Sequence, residues 1–420
     1  MAQRTRNNSE IPVYTIDLAA APKLRYLEIA KDFAPLIASL TPIFDAIVED
    51  AIPYPTLRKL AKTAAEHFLT RLHDDDETQE LQGISEVTGV DMYLLVAFNT
   101  LLDCMLGCTS GAVPVSSNPK TSPPGTRLMH FRTLDWGMPG LRDVLVELEF
   151  INSASLDPTA VLARSITYAG YVGALTGSCR RKSLSIAMNF RPNRNCSAYA
   201  LRWHQLMVLL GRRKSLSSTL RSAIIPQTVP GSSWRDDERD LGKTVARLLP
   251  ARMAPCYLTL CDGTEVTVIE KDLKSGRVRS SAEFLVQTNH DVIPRPVSST
   301  GEKHAPDDQD LNRAMLKLEG WLEESSDRFD SVTQKWDRHV RKVQSSSRGS
   351  TEQDATKYTD GPLGQSIAAK AIGKPALKRW LQSQQVMGEC THFATIMDPY
   401  NGTIPWIKRG NILCEPYVGT

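Results

Sequence analysis

Long apolar runs are missing from this chain. The longest, Tyr93 to Leu106, is broken by Asn99 and Asp103 and falls short of the roughly 20 residues that a bilayer-spanning helix needs. A buried or interfacial helix is the reading it supports. The opening segment, Met1 to Glu10, has no apolar core of the secretory kind, so the cytoplasm is the expected compartment. Cysteine is sparse: eight residues, with no Cys-x-x-Cys pair and no Cys/His set at zinc-ligand spacing, so neither a disulfide scaffold nor a structural zinc site is expected. No cofactor or metal is called for. Charge of one sign is also missing, because 50 basic residues are interleaved with 47 acidic ones, and the basic stripe of a nucleic-acid binder is not there.

What is present is enough apolar material for a core, 41% of 420 residues, with a change of texture partway along. Residues 23 to 107 carry apolar positions at helical spacing, as in Leu57-Leu60-Ala64-Phe68-Leu72. The acidic stretch Asp74 to Glu80 reads as a solvated connector. After Cys108, short runs rich in β-branched residues predict strands at 127–131, 144–150, 160–163, 184–188, 256–260, 266–269 and 284–288. Helices are predicted among them at 198–210, 216–225, 309–324 and 376–385. Gly111 to Gly125, Pro294 to Asp308 and Gln344 to Gly364 read as surface loops. The expected fold class is α+β, a helical part at 1–107 followed by a mixed part at 108–420.

The chemistry-bearing residues sit where these segments meet. Cys108, between Gly107 and Thr109-Ser110, is a thiol in a run of small residues. If the backbone is cut between Gly107 and Cys108, that residue gains a free α-amine beside its thiol, a nucleophile with its own base. Arg132 and Asp135 end a predicted strand. Nearby cation and carboxylate could lower a thiol pKa and orient an amine. Asn289 ends another strand and is a neutral amide of the kind that donates to an oxyanion. Gly170, Gly173 and Gly177 punctuate Tyr168 to Gly177 without the Lys-Ser/Thr of a phosphate loop, which points to tight strand turns instead.

In order, these segments resemble the acid ceramidase and N-acylethanolamine acid amidase family of N-terminal nucleophile hydrolases. The resemblance runs through Ile11 to Leu18, Gly83 to Asp91, Cys104 to Ser110, Arg132-Thr-Leu-Asp135-Trp-Gly137, Tyr168 to Gly177, Gln287-Thr-Asn289-x-Asp291 and Thr391 to Arg409. It implies an αββα sandwich, self-cleavage at Gly107-Cys108 into an α/β heterodimer, and hydrolysis of a lipid amide. On it, Cys108 is the nucleophile, Arg132 and Asp135 orient it, and Asn289 supplies the oxyanion donor. Asn189 lines the site and Arg328 matches the family's late Asp-Arg. Trp136, Tyr168 and Tyr171 become candidates for an acyl channel, and peripheral contact with a membrane is implied by the substrate. Ceramide is the leading substrate and N-acylethanolamine the next; a non-catalytic lipid-binding protein on the same fold is the rival from another class. Two positions depart from the family pattern, Phe190 where a Glu is usual and Thr133 where an Asn is usual.

Overall fold

The computed structural model describes residues 11–42, 54–101, 107–116, 125–192, 196–225, 241–293, 309–347 and 367–410. Cys104 and most of the three expected loops lie outside these residues.

The chain opens on β1 (Val13–Asp17), then runs through α1 (Leu27–Ser39), α2 (Pro55–Phe68), α3 (Asp75–Thr88) and α4 (Met92–Leu101). β2 (Gly107–Ser116) and β3 (Thr126–Asp135) follow, then β4 (Leu145–Ile151), β5 (Ala163–Tyr168), β6 (Thr176–Cys179) and β7 (Leu184–Phe190). After α5 (Ala198–Leu209), α6 (Leu216–Ile224) and α7 (Leu241–Leu248) come β8 (Cys256–Cys261), β9 (Val266–Lys271), β10 (Gly276–Ser281) and β11 (Leu285–Gln287). α8 (Gln309–Ser347), α9 (Lys374–Leu381), β12 (Thr391–Asp398) and β13 (Thr403–Arg409) complete it.

The strands form two sheets, one of eight in the order β1-β4-β5-β6-β7-β8-β9-β10 and one of five in the order β11-β2-β3-β12-β13. Period-two alternation gives each inner strand two apolar faces. On β2 the even positions Cys108, Ser110 and Ala112 turn to the larger sheet: the Ser110 hydroxyl lies 2.7 Å from that of Thr259 on β8, and Ala112 packs with Cys261, Val266 and Val268. The odd positions Val113 and Val115 turn the other way, onto Val332 and Trp336 of α8 and Leu377 and Leu381 of α9. The far face of the larger sheet is covered by α1, α3, α4, α6 and α7 through Phe33, Ile84, Phe98, Leu220 and Leu248. The order of layers is therefore helix, sheet, sheet, helix.

Several sequence expectations change. The first region is not wholly helical, because β1 pairs in parallel with β4 and closes one edge of the larger sheet. Asp74 to Glu80 is no solvated connector. Asp74 caps α3, its carboxylate accepting from the amides of Asp76 and Glu77, where negative charge suits the helix N-terminus. Glu77 and Glu80 are then carried inside, and Glu80 takes Arg25 at 3.1 Å and both terminal nitrogens of Arg221. Gly111 to Ser116 is strand, not loop: a Cβ on Gly111 would lie 2.2 Å from the Leu285 carbonyl oxygen, so only glycine lets β11 approach. α8 runs on past Glu324 to Ser347, and β6, β10, β12, β13 and α7 join the predicted elements.

Burial sets a pH dependence of stability. It pushes the Glu77 and Glu147 carboxyls up to about 7 and the His130 and His392 imidazoles down to about 3. The raised carboxyls contribute stability that is complete below their ordinary 4.5 and lost as pH rises through about 7. The lowered histidines contribute stability that is complete above 6.5 and lost as pH falls toward about 3. Glu77→Gln keeps an acceptor for the Ser218 hydroxyl, 3.0 Å away, and removes one titration. Thermal melts across pH should show a smaller loss of Tm in this variant than in the wild type as pH rises from about 4.5 to about 7.

Candidate active site

The site is built where β2 starts, between the ends of β3, β7 and β11 and the flank of α8. Antiparallel register sets Gly107 opposite Asp135 and Cys108 opposite Leu134. Cys108 therefore shows its thiol to the larger sheet, while Asp135 shows its carboxylate to α8. The backbone nitrogen of Cys108 lies between the two.

Each reactive atom of Cys108 has a partner. Its N–H donates to Asn289 Oδ1 at 2.7 Å, and Arg132 Nη2 donates to its Sγ at 3.3 Å. The guanidinium of Arg132 is itself anchored by the Leu175 carbonyl and the Thr176 hydroxyl, so it cannot turn away from the sulfur. Asp135 accepts from the Thr391 hydroxyl at 2.5 Å and faces Arg328 Nη1 at 3.5 Å. Arg328 also donates from Nη2 to Asn289 Oδ1 at 3.0 Å, linking the carboxylate to the amide. Burial pushes the Cys108 thiol up despite the Arg132 cation beside it, and pushes the Asp135 carboxyl up despite Arg328 and Thr391. The sulfur as it stands is a poorly ionised thiol that needs a base.

Asn289 is oriented by its neighbours. Nδ2 donates to the Phe190 carbonyl at 2.8 Å, and Oδ1 receives two donors. The expected oxyanion donor is thus turned in this structure to accept from the nitrogen of Cys108. Its own amide N–H donates to Ser325 Oγ at 2.8 Å. Asn189 stands just behind, donating to the carbonyls of Gln287 and Thr288 at 2.9 and 3.2 Å, which holds the end of β11. Phe190, at the departing position, packs its ring against the main core and offers only its carbonyl to the site.

The aromatic candidates are all buried. Trp136 and Tyr168 share the apolar cluster of Cys108, with the Tyr168 hydroxyl 2.8 Å from His392 Nδ1 and the ring of Trp136 6.4 Å from that of Tyr168. Tyr171 stands against Phe98 of α4. The glycines of this segment serve close approach. A Cβ on Gly173 or Gly177 would lie 2.5 Å from Ser217 Oγ or Ile224 Cδ1 of α6. No group of His, Cys, Asp and Glu able to hold a metal occurs among the described residues.

Thr391, Ser325, Leu175 and Thr176 were not singled out as site residues by the sequence. Ser325 had a readable signal, because it precedes Arg328 by three residues and one helical turn puts both on the same face. Thr391 had none, since its link to Asp135 is made across strands.

Two facing sheets under helices, with a cysteine at the start of an inner strand, are the αββα arrangement that the resemblance in sequence implies. Comparison with known proteins narrows this. The family model for the beta subunit of N-acylethanolamine-hydrolyzing acid amidase matches residues 9–73. Acid ceramidase of Heterocephalus glaber is 24% identical over 311 residues, 68% of this chain and 71% of its own length, and that of Homo sapiens is 24% identical over 331 residues, 72% and 75%. The solved structure of a Caenorhabditis elegans N-acylethanolamine-hydrolyzing acid amidase ortholog covers 70% of this chain and 93% of its own, at 17% identity and a TM-score of 0.41. The chain is similar to the acid ceramidase and N-acylethanolamine acid amidase family of amidohydrolases. No helix among the described residues is long and apolar enough to cross a membrane.

Proposed function

We propose that this protein hydrolyses the amide bond of N-acyl lipids, ceramide foremost, with Cys108 as an N-terminal nucleophile exposed by its own cleavage from Gly107. The observation that carries this reading is the double hold on one residue, Asn289 Oδ1 on the nitrogen of Cys108 and Arg132 on its sulfur. A structural cysteine needs neither.

In the first step the Cys108 thiol attacks the carbonyl carbon of Gly107, and the acyl group passes from nitrogen to sulfur. Hydrolysis of that thioester leaves a carboxylate on Gly107 and a free amine on Cys108. The chain then consists of two pieces, up to 107 and from 108, kept together by β1 in the larger sheet and by the buried Glu80–Arg221 pair. Removing one partner of such a pair costs about 3–5 kcal/mol.

In turnover the freed amine takes the thiol proton, overcoming the burial that keeps the thiol neutral, and Arg132 stabilises the thiolate. The sulfur attacks the acyl carbonyl. As the tetrahedral intermediate collapses, the ammonium returns its proton to the departing amine of the lipid, leaving a thioester. The same amine then deprotonates water, which releases the fatty acid and restores the thiol. Asn289 and Asp135 hold the amine in place, and the apolar side chains of Trp136 and Tyr168 line the way to the sulfur for the acyl chain.

The reading also places the protein at a lipid surface. α2 and α5 both touch α4, and they leave Leu60, Phe68, Tyr199, Trp203 and Leu206 exposed, with Lys59, Lys62 and Arg202 among them. An apolar face edged with cations suits an interfacial bilayer contact. Trp203→Glu is expected to reduce co-sedimentation with anionic vesicles severalfold and to spare hydrolysis of a micellar short-chain substrate. The reaction itself is tested by a panel of ceramides and N-acylethanolamines of graded chain length, assayed across pH. Release of fatty acid from ceramide at the highest kcat/KM supports the assignment, and a preference for N-acylethanolamine moves it within the family. No turnover of any N-acyl amide by cleaved protein overturns it.

A further inference from the structure

Behind Asn289 lies a buried ionic group that the reaction scheme does not use. Arg191, the residue after Phe190, is almost wholly enclosed, and its guanidinium grips Asp291 in a two-pronged contact, Nε to Oδ1 at 2.7 Å and Nη2 to Oδ2 at 2.9 Å. The remaining nitrogen, Nη1, donates to Asp272 at 2.8 Å. Tyr257, whose ring lies 5.5 Å from the guanidinium, donates its hydroxyl to Asp291 Oδ1 at 2.8 Å. Arg277 reaches Asp291 at 3.5 Å and Glu270 at 2.8 Å, and Glu270 in turn accepts from the amides of Val292 and Ile293 at 3.0 and 3.2 Å.

The placement of these contacts matters more than their number. Asn289 and Asp291 lie two apart on one segment, and Phe190 and Arg191 are adjacent on another. The amide of Asn289 is tied to the Phe190 carbonyl, and the carboxylate of Asp291 is tied to the Arg191 side chain. Two links, from positions two apart on one segment to adjacent positions on the other, remove the rotation that one would leave. The rotation they remove is the one that would swing Asn289 Oδ1 off the nitrogen of Cys108.

We propose that Arg191 and Asp291 form a positioning clamp, which aims Asn289 at the Cys108 amine and so sets the rate of the chemical step without touching the substrate. This rests on the reading of Cys108 as an N-terminal nucleophile. A bidentate contact needs a planar fork, and a lysine supplies only a point charge. Arg191→Lys therefore keeps the charge balance of the cluster and loses the alignment. Asp272 provides the control, because it binds the same guanidinium but lies outside the segment that carries Asn289.

The test uses the full chain, processed to the extent that each variant allows, with three readouts: the fraction cleaved at Cys108 by intact mass, kcat and KM on an N-acyl substrate across pH, and Tm. Arg191→Lys is expected to lower kcat by roughly tenfold with KM within about twofold, since one misplaced group costs that much or more in a preorganised site. The acid limb of its kcat profile should also move to lower pH, because an amine that loses a carbonyl acceptor loses a partner for its protonated form. The charged groups that act on Cys108 are Arg132 and Asp135 of β3 and Arg328 of α8; Glu324 acts on Asp135 and His290 is bound to Ser325, and none of these is changed. Asp272→Asn should lower Tm at least as much while kcat and the limb stay within about twofold of the wild type. If Arg191→Lys does not fold, Asp291→Asn, which keeps one acceptor, is read the same way.

Equal losses of kcat in the Arg191 and Asp272 variants, or an unmoved limb in Arg191→Lys, would show a merely structural cluster and overturn the clamp. Wild-type protein that stays uncut and inactive would overturn the nucleophile reading, and the clamp with it.

Discussion

Replacing Cys108 by alanine is expected to leave the chain uncut and to lower amide hydrolysis by roughly 10⁴-fold or more. The two losses share one cause. In the proposed reaction the sulfur of Cys108 attacks the Gly107 carbonyl in the uncut chain and the lipid in the cut one. The fold should survive, because the change deletes one buried sulfur between the sheets at a cost of roughly 1 kcal/mol. A denaturing gel and a Tm taken on the same preparation separate loss of chemistry from loss of structure. Hydrolysis above background in this variant would show that another group does the work.

Asp135→Asn is the second large effect, and it isolates charge from shape. The amide is the size of the carboxylate and keeps an acceptor for Thr391, so the end of β3 should stay in register. What it lacks is the negative charge set against Arg328 and opposite Gly107, the charge that would hold the freed amine. Both cleavage and turnover should slow, each by roughly 10²- to 10⁴-fold, the range for losing a group that acts in proton transfer. A time course of fragment appearance gives the first rate and steady-state assay of the small cleaved fraction gives the second. Full-speed cleavage with slow turnover would confine Asp135 to the second step.

The legibility of the site and of the fold differ for physical reasons. Cys108, Arg132, Asp135 and Asn289 were picked out because each is polar or reactive at the end of an apolar run, Arg328 only through the resemblance, and the structure gathers them around one residue, Cys108. Their roles rest on the proposed reaction. The orientation of Asn289 was beyond reach, since it is decided by the Phe190 carbonyl and by Arg328 on a helix far along the chain. The strand β2 was invisible for a related reason. Its Gly-Cys-Thr-Ser-Gly-Ala sequence is made of small residues because β11 and the larger sheet press on both sides, and small residues carry no alternation. The acidic run at 74–80 misled in the opposite direction. Charge suggested solvent, but partners 141 residues away in sequence, Ser218 and Arg221, take Glu77 and Glu80 into the interior. The long helix α8 was cut short by its own surface, whose charged and serine-rich end reads as a loop, although Trp336 packs inward on the smaller sheet.

The central claim is that one bond, Gly107–Cys108, is broken by the protein itself to make its nucleophile and base. Purified wild-type protein, free of added protease and held at mildly acidic pH, should yield two fragments, and N-terminal sequencing of the one carrying the catalytic strands should read Cys-Thr-Ser-Gly-Ala. A chain that hydrolyses N-acyl amides while its mass shows the 107–108 bond intact would contradict the account.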